Sequence, residues 1–331
     1  MNVPVGVLGV SVYLPPRKSV SDLVEIGQLT SKKFNKIGVQ SVPVAETEIG
    51  SDLAINASRD LLNKTKVDPL DIDILIYVGS AMNDYQVWLP SARVCDELNL
   101  KNAFAFDLNM GCGSYQTAIK FVAETLKNSG KWKTALLVSG DNFGHLTTNR
   151  ETNEVILGDA GAAMLLQKGH ERNMFFGYDA ITKGYYHDLT FYTGFTPAAK
   201  KFVDSNSNVK ENLWTFARGE KLQDLMKENI SNYLNIAKNV LDEQGLALSD
   251  ISYVIVPSGR LDLMEKIVKE LGFPIEKTNI PFLADIGDCA ASGFVIDIQN
   301  ILEHYQPKAG EFTLCIGAGL GISWVASIIK H

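Results

Sequence analysis

The sequence predicts an α/β fold built from two duplicated halves, and three observations predict it. Asp71-Ile72-Asp73-Ile74-Leu75-Ile76 has a counterpart in Asp250-Ile251-Ser252-Tyr253-Val254-Ile255, each following a helical stretch and a short polar turn. A Glu-Leu step closes the next helix in both halves, at Glu97-Leu98 and Glu270-Leu271. Gly111-Cys112 and Gly287-Asp288 each end an apolar run (from Phe106 and from Phe282) and precede a helix, and residues 134–166 and 312–329 both read as strand, glycine-rich loop, strand. One such match arises by chance. A series in the same order marks an internal repeat, and alternating strand and helix patterns mark an α/β sheet.

Taken in order, residues 3–13 form an apolar strand stopped by Leu14-Pro15-Pro16. Residues 17–49 are mixed and polar, as for loop and short helix at an entrance. Helical periodicity runs over 52–63, and 72–78 is a nearly continuous apolar run, as for a strand covered on both faces. A helix over 90–98 opens favourably with Pro90-Ser91. The run 104–108 leads into Gly111-Cys112-Gly113, after which Ile119, Val122, Ala123 and Leu126 recur at helical spacing. A strand over 134–138, a polar loop over 141–154 and a strand over 162–167 complete the first half, residues 1–168. Residues 169–219 are rich in aromatics and glycines and are expected to form an inserted lid or pocket wall. The second half, 220–331, opens with a long helix over 220–244.

Composition bounds the function. With 331 residues, 46% of them hydrophobic and 21% charged, the chain is an ordinary globular protein. Its net charge of −7 disfavours nucleic-acid binding. Cys95, Cys112, Cys289 and Cys315 stand far apart without a Cys-x-x-Cys pair, so neither a metal site nor a disulfide framework is indicated. The first residues show no charged segment followed by an apolar core, and a cytoplasmic location is expected. The apolar run 313–329 is broken by Gly317, Gly319 and Gly321, as for two strands around a turn, not a membrane span. Those glycines also lack the spacing and following acidic residue of a dinucleotide site.

The chemistry gathers at Cys112. A thiol at a strand-to-helix turn lies at the positive end of the helix dipole, which is expected to lower its pKa and suit it to covalent catalysis. The repeat places Asp288 at the matching helix start, facing the same cleft, where a carboxylate is a candidate base and the alternative is a helix cap. His145 and His187 are candidate pocket residues able to supply an imidazole.

Tyr13-Leu14-Pro15, Leu89-Pro90-Ser91-Ala92, the Cys112 turn, Gly158-Asp159-Ala160-Gly161-Ala162-Ala163, Val256-Pro257, Gly287-Asp288 and Gly317-Ala318-Gly319-Leu320-Gly321 occur in register with one family. The chain resembles β-ketoacyl-ACP synthase III and its relatives in the thiolase superfamily. The resemblance implies a five-layered αβαβα architecture, a homodimer, and an acyl group carried on Cys112 as a thioester. It also implies an oxyanion hole from the backbone N–H groups of Cys112 and Gly319. Phe34 falls roughly where the family clamps coenzyme A, and Met82 and Leu89 are expected to shape the acyl pocket.

Two departures matter. The family's His after Val-Pro is Ser258 here, and its Asn after Gly is Asp288. In the family both donate hydrogen bonds to the enolate formed by decarboxylation, whereas an ionised Asp288 only accepts them. Loss of one such donor raises a barrier by about 2.7–4 kcal/mol. The expectation is therefore a divergent acyltransferase that loads Cys112 from an acyl-CoA or acyl-carrier-protein (phosphopantetheine) thioester, without a permanently bound cofactor or metal. Asp288 would act as base or orienter and Ser258 as a secondary hydrogen-bonding group. The competing readings are a carbon–carbon bond-forming 3-oxoacyl synthase and a degenerate subunit of a heterodimer. Neither nucleic acid nor membrane is an expected partner.

Overall fold

The alternation of apolar residues along the strands decides how the layers stack. A computed structural model describes residues 3–29, 37–79, 83–85, 87–145, 149–152, 155–192, 214–216 and 220–331. Its main strands are β1 (Val5–Tyr13), β2 (Ile74–Val78), β3 (Phe104–Leu108), β4 (Thr134–Asp141), β5 (Ala160–Lys168), β6 (Met174–Thr182), β7 (Tyr253–Ile255), β8 (Phe312–Gly319) and β9 (Ser323–Lys330). The main helices are α1 (Gly50–Thr65), α2 (Pro90–Glu97), α3 (Ser114–Asn128), α4 (Glu220–Gln244), α5 (Leu261–Leu271) and α6 (Ala290–Asn300).

The strands run in the order β7-β8-β9-β6-β1-β5-β4-β2-β3. Each half repeats one plan. β2 is parallel to β4, β4 antiparallel to β5 and β5 antiparallel to β1; likewise β7 is parallel to β8, β8 antiparallel to β9 and β9 antiparallel to β6. The halves meet where β1 touches β6, at Gly6 opposite Met174.

Successive side chains of a strand face opposite layers. Leu75 and Tyr77 of β2 pack under α1 and α2 with Leu61 and Val94, whereas Ile74, Ile76 and Val78 point the other way, toward Ile119 and Val122 of α3. That middle cluster also takes Phe294 and Val295 of α6 and Ile255, Cys315 and Ile329 of the second half. A third cluster covers the far face, where Ile236 and Val240 of α4 and Met264 and Ile267 of α5 meet Val254, Leu314 and Ile328. The result is five layers, αβαβα, with α3 and α6 as the central pair. This is the thiolase-like architecture expected from the sequence.

Two expectations are corrected. Residues 169–219 are not simply an insertion, because they begin with β6, which pairs with β9 from Met174 to Thr182. A register shift between Phe175 and Gly177 breaks the alternation that would have revealed this strand. Within that stretch, 193–213 and 217–219 lie outside the described residues. The apolar run before Asp288 is not a strand either. Ile280–Asp285 is a 3-10 helix with Pro281 near its start, and the counterpart of the β2–β3 pairing shrinks to one bridge between Val254 and Thr278. Proline cannot donate to a ladder, which argues against a strand there.

A buried ion pair ties loops of the first half together. Arg150 and Asp159 are almost fully buried and paired twice, Nη1 to Oδ1 at 2.9 Å and Nη2 to Oδ2 at 2.8 Å. Asp159 also accepts the backbone N–H groups of Ala45 and Phe143, both at 2.8 Å. Removing one partner strands a charge in a dry interior. Asp159→Ala is therefore expected to cost about 3–5 kcal/mol of stability, read from urea denaturation. An unchanged midpoint would show that the pair does not anchor these loops.

Candidate active site

Two sharp turns aim the reactive groups. Gly111 has φ +61° and Gly287 has φ +68°, both in the left-handed region. A Cβ on Gly111 would sit 2.6 Å from the Leu320 side chain, and one on Gly287 would sit 2.5 Å from the Ile156 carbonyl oxygen. Only glycine satisfies both the dihedral and the space. The first turn is held by the Met110 N–H donating to Ser114 Oγ at 2.7 Å and the Gly111 N–H donating to Asn109 Oδ1 at 2.9 Å. The second is clamped by the Asp288 N–H on the Ile156 carbonyl and the Gly158 N–H on the Asp288 carbonyl, both 2.9 Å. Cys112 lies in the single turn Gly111–Gly113 that feeds α3. Asp288 lies just before α6, and its Oδ1 accepts the Ala290 N–H at 2.9 Å.

Both turns open on one cavity of about 220 Å³. Its polar lining includes Cys112, Gln116, Ser258, Arg260, Asp288 and Asp297, and Val155, Phe294, Ile316 and Ala318 contribute apolar wall. The Cys112 side is open, so the sulfur is accessible from the cavity. Ser258 Oγ donates to Asp297 Oδ2 at 2.8 Å. Asn279 Nδ2 donates to the same Oδ2 at 2.9 Å and to Ser258 Oγ at 3.1 Å. Arg260 at the rim pairs with Asp262, with Nε donating to Oδ1 at 2.8 Å.

The electrostatics differ from the sequence expectation. Burial raises the Cys112 thiol well above the ordinary cysteine value, and the Asp288 and Asp141 carboxylates add to the rise. A helix start favours thiolate by about 0.3–1 kcal/mol, and although the sulfur opens onto the cavity, the enclosing protein walls and the nearby carboxylates oppose the anion by more. The expected depression of the thiol pKa is thus reversed, and the sulfur needs a proton acceptor nearby. Asp288 qualifies: burial lifts it to about 6, against the Ala290 N–H, which lowers it. Asp297 rises to about 7, chiefly from burial, opposed by the Ser258 and Asn279 hydrogen bonds and assisted by the charge of Asp288.

Cys112, Asp288 and Ser258 therefore share one cavity. The backbone of Gly319 lies against the Cys112 turn, since a Cβ there would fall 2.3 Å from the Met110 carbonyl oxygen. Leu89 is half-exposed at the start of α2 and does not line the cavity, and neither does His187, exposed in a surface turn after Gly184–Tyr186. Those two expectations are not met at this cavity, because both residues lie on the surface. The backbone of His145 belongs to the short turn Phe143–His145. Phe34 and Met82 lie outside the described residues.

Asp297 and Asn279 were missed by sequence reading. A signal for the first existed: Ala290, Gly293, Phe294 and Asp297 follow helical spacing, all four line the cavity, and Asp297 is the lone acid of α6. No spacing signal marked Asn279, because it arrives from a segment without regular structure.

Comparison with known proteins agrees with the fold that carries this site. The family model for 3-oxoacyl-[acyl-carrier-protein (ACP)] synthase III matches residues 106–184, and the model for the C terminal of the same family matches 241–331. Together they span just over half of the chain. The β-ketoacyl-[acyl-carrier-protein] synthase III of Clostridium tetani is 27% identical, covering 99% of both chains. The solved synthase III of Pseudomonas aeruginosa aligns over 99% of this chain and 98% of its own with a TM-score of 0.82 at 22% identity. ChlB3, described as an acyltransferase, aligns over 99% and 97% with a TM-score of 0.82 at 20% identity. Both structures share the fold.

The raised carboxyls have a consequence for stability. A carboxyl that holds its proton more tightly folded than unfolded lends stability that is complete below the ordinary range near 4, and that is lost as pH rises through the folded value. The loss runs from about 4 to about 6 for Asp288 and to about 7 for Asp297. The Asp288→Asn/Asp297→Asn double variant is expected to lose less thermal stability than the native chain between pH 5 and pH 8, measured by calorimetry. Parallel pH curves for the two proteins would contradict the assigned shifts.

Proposed function

The chain belongs to the 3-oxoacyl-[acyl-carrier-protein] synthase III family, and on that premise we propose that it is an acyltransferase that loads an acyl group onto Cys112 and passes it to a hydroxyl or amine acceptor. The donor is an acyl-CoA or an acyl-carrier-protein thioester. The observation that carries this reading is the commitment of the Ser258 proton to Asp297 Oδ2, in a cavity that also holds Asp288. Neither position that would donate to an enolate is free to do so near neutral pH. In a water-poor site, developing negative charge beside these carboxylates is opposed.

Acyl transfer asks for different parts. Asp288 takes the thiol proton as the sulfur attacks the donor carbonyl, the donor C–S bond breaks, and the departing thiolate receives that proton. The backbone N–H groups of Cys112 and Gly319 are assigned to the oxyanion. In the second stage the acceptor attacks the acyl carbon, its proton leaves to a carboxylate, and the C–Sγ bond breaks to restore Cys112. The enzyme works without a resident cofactor and as a homodimer in this reading. The described residues include no helix long and apolar enough to cross a membrane.

Carbon–carbon condensation is the second reading, and one observation favours it. With its pKa near 6, Asp288 is protonated in mildly acidic solution and then donates a hydrogen bond. Condensation activity that rises below pH 6 and yields a ketone would support it over an ester- or amide-forming reaction.

The test is intact mass spectrometry after incubation with an acyl-CoA panel. One acyl mass on Cys112 is expected, together with loss of at least about 10³-fold in turnover for Cys112→Ala. A fully active, unlabelled Cys112→Ala enzyme would end the proposal. Asp288→Asn is expected to slow transfer by about 10²–10⁴-fold, seen in stopped-flow release of coenzyme A.

A further inference from the structure

Among the described residues no histidine lines this cavity, yet the position after Val256-Pro257 is not empty of proton chemistry. Ser258 stands there, and its hydroxyl is bonded to a second buried carboxyl, Asp297, on the stripe of α6 that faces the cavity. Asp297 is only 7% exposed. Both of its hydrogen bonds fall on Oδ2, from Ser258 and from Asn279 Nδ2. The Asn279 hydrogen that reaches Asp297 is shared with Ser258 Oγ at 3.1 Å, so it engages a hydroxyl lone pair and turns the Ser258 proton toward the carboxylate. Asn279 is itself fixed, because its side-chain amide exchanges hydrogen bonds with the backbone of Val256 at 2.9 and 3.0 Å. The array is rigid, buried, and open to the space into which Cys112 also opens.

We propose that Ser258 and Asp297 form a two-membered proton relay that serves discharge of the acyl group from Cys112, with Asn279 as its positioning residue. This rests on the acyl-Cys112 reading above and assigns the acceptor's proton, leaving Asp288 to the thiol. As the acceptor lone pair forms its bond to the acyl carbon, its X–H proton passes to Ser258 Oγ and the Ser258 proton passes to Asp297 Oδ2. The C–Sγ bond then breaks with its electron pair on sulfur. The proton held by Asp297 returns through Ser258 to that thiolate, and Cys112–SH and the ester or amide remain. Every atom comes from the acyl-enzyme and the acceptor.

Other titrating groups around Asp297 can be told apart from it. Asp288 and Cys289 face it from the start of α6, Cys112 from its turn, Tyr233 from α4, Arg260 from the loop after β7 and Cys315 from β8. Burial lifts Cys112, Tyr233, Cys289 and Cys315 above their ordinary values, so none of them titrates near neutrality. Only Asp288, near 6, competes with Asp297, near 7.

The experiment loads the native enzyme with acetyl-CoA, removes free donor by rapid desalting, and follows decay of the acyl-Cys112 mass in buffer alone and with ethanolamine as acceptor probe. Decay of the native adduct is expected to rise through pH 7. Asp297→Asn keeps an acceptor for Ser258 and Asn279, so it is expected to load within about threefold of native yet to decay about 10²-fold more slowly and without that inflection. Ser258→Ala is expected to show the same slow decay, and the double variant no further slowing, as for groups acting in one chain. Native-like decay in Asp297→Asn, or losses that multiply in the double variant, would overturn the relay while leaving the acyl-Cys112 reading intact. Failure of the native protein to load from acetyl-CoA, from the rest of the acyl-CoA panel and from acyl-carrier-protein thioesters would instead sink the underlying reading, and the relay with it.

Discussion

The steric constraint at Gly111 and Gly287 governs everything else in this molecule. At both positions the chain must enter the left-handed region where an added Cβ would collide with a neighbour: the Leu320 side chain at 2.6 Å at one turn, the Ile156 carbonyl oxygen at 2.5 Å at the other. A side chain at either place would push the turn away from the central helices and withdraw Cys112 or Asp288 from the cavity. The five layers hold the two turns face to face, because α3 and α6 form the shared middle layer and each begins at one of them. The Arg150–Asp159 pair secures the 155–159 strap, whose Gly158 and Ile156 hold the Asp288 backbone.

Within that frame, electrostatics decides the chemistry. A helix start alone would make Cys112 acidic. Here the sulfur is desolvated and shares its surroundings with carboxylates, and those effects win. In the proposed reading the nucleophile is a stored thiol whose reaction depends on a proton acceptor, and two buried carboxyls with raised pKa values share its cavity. Such an interior disfavours anionic intermediates and malonate-like substrates, and tolerates a neutral or cationic acceptor. The fold is that of a condensing enzyme, but the charge pattern of its cavity is not suited to stabilising an enolate.

Much of the fold was legible in the sequence because duplication writes the same pattern twice. Ile72–Val78 and Ile251–Ile255 carry the same continuous apolar run, and Gly-Cys against Gly-Asp identifies the paired turns without any coordinates. The missed strand, β6, is interrupted at Gly177, so its alternation fails midway. The counterpart of β3 was misread because the run from Phe282 has the hydrophobic pattern of a strand, while Pro281 just before it favours the 3-10 turn that forms instead. At the site, Cys112 and Asp288 were readable from local turn chemistry. Asp297 looked like an acid on an apolar helix, and only the packing of α6 shows that its stripe faces the cavity. Leu89 and His187 suited a pocket by residue type alone, and type says nothing about which layer covers a loop.

The truncated edge of the second half has its own consequence. Where the first half has β3 running alongside β2, the second half offers β7 only a bridge at Thr278, and the side chain of the next residue, Asn279, stands in for a strand by exchanging both kinds of backbone hydrogen bond with Val256. A main-chain partner would have spent its N–H on Val256 alone, whereas a primary amide has a second hydrogen to give, and here it is shared between Asp297 Oδ2 and Ser258 Oγ. Rebuilding a regular strand at this edge would return symmetry to the two halves and deprive the carboxylate of that donor, raising its proton affinity further. Architectural decay at the rim and acidity tuning in the interior are, in this protein, the same event.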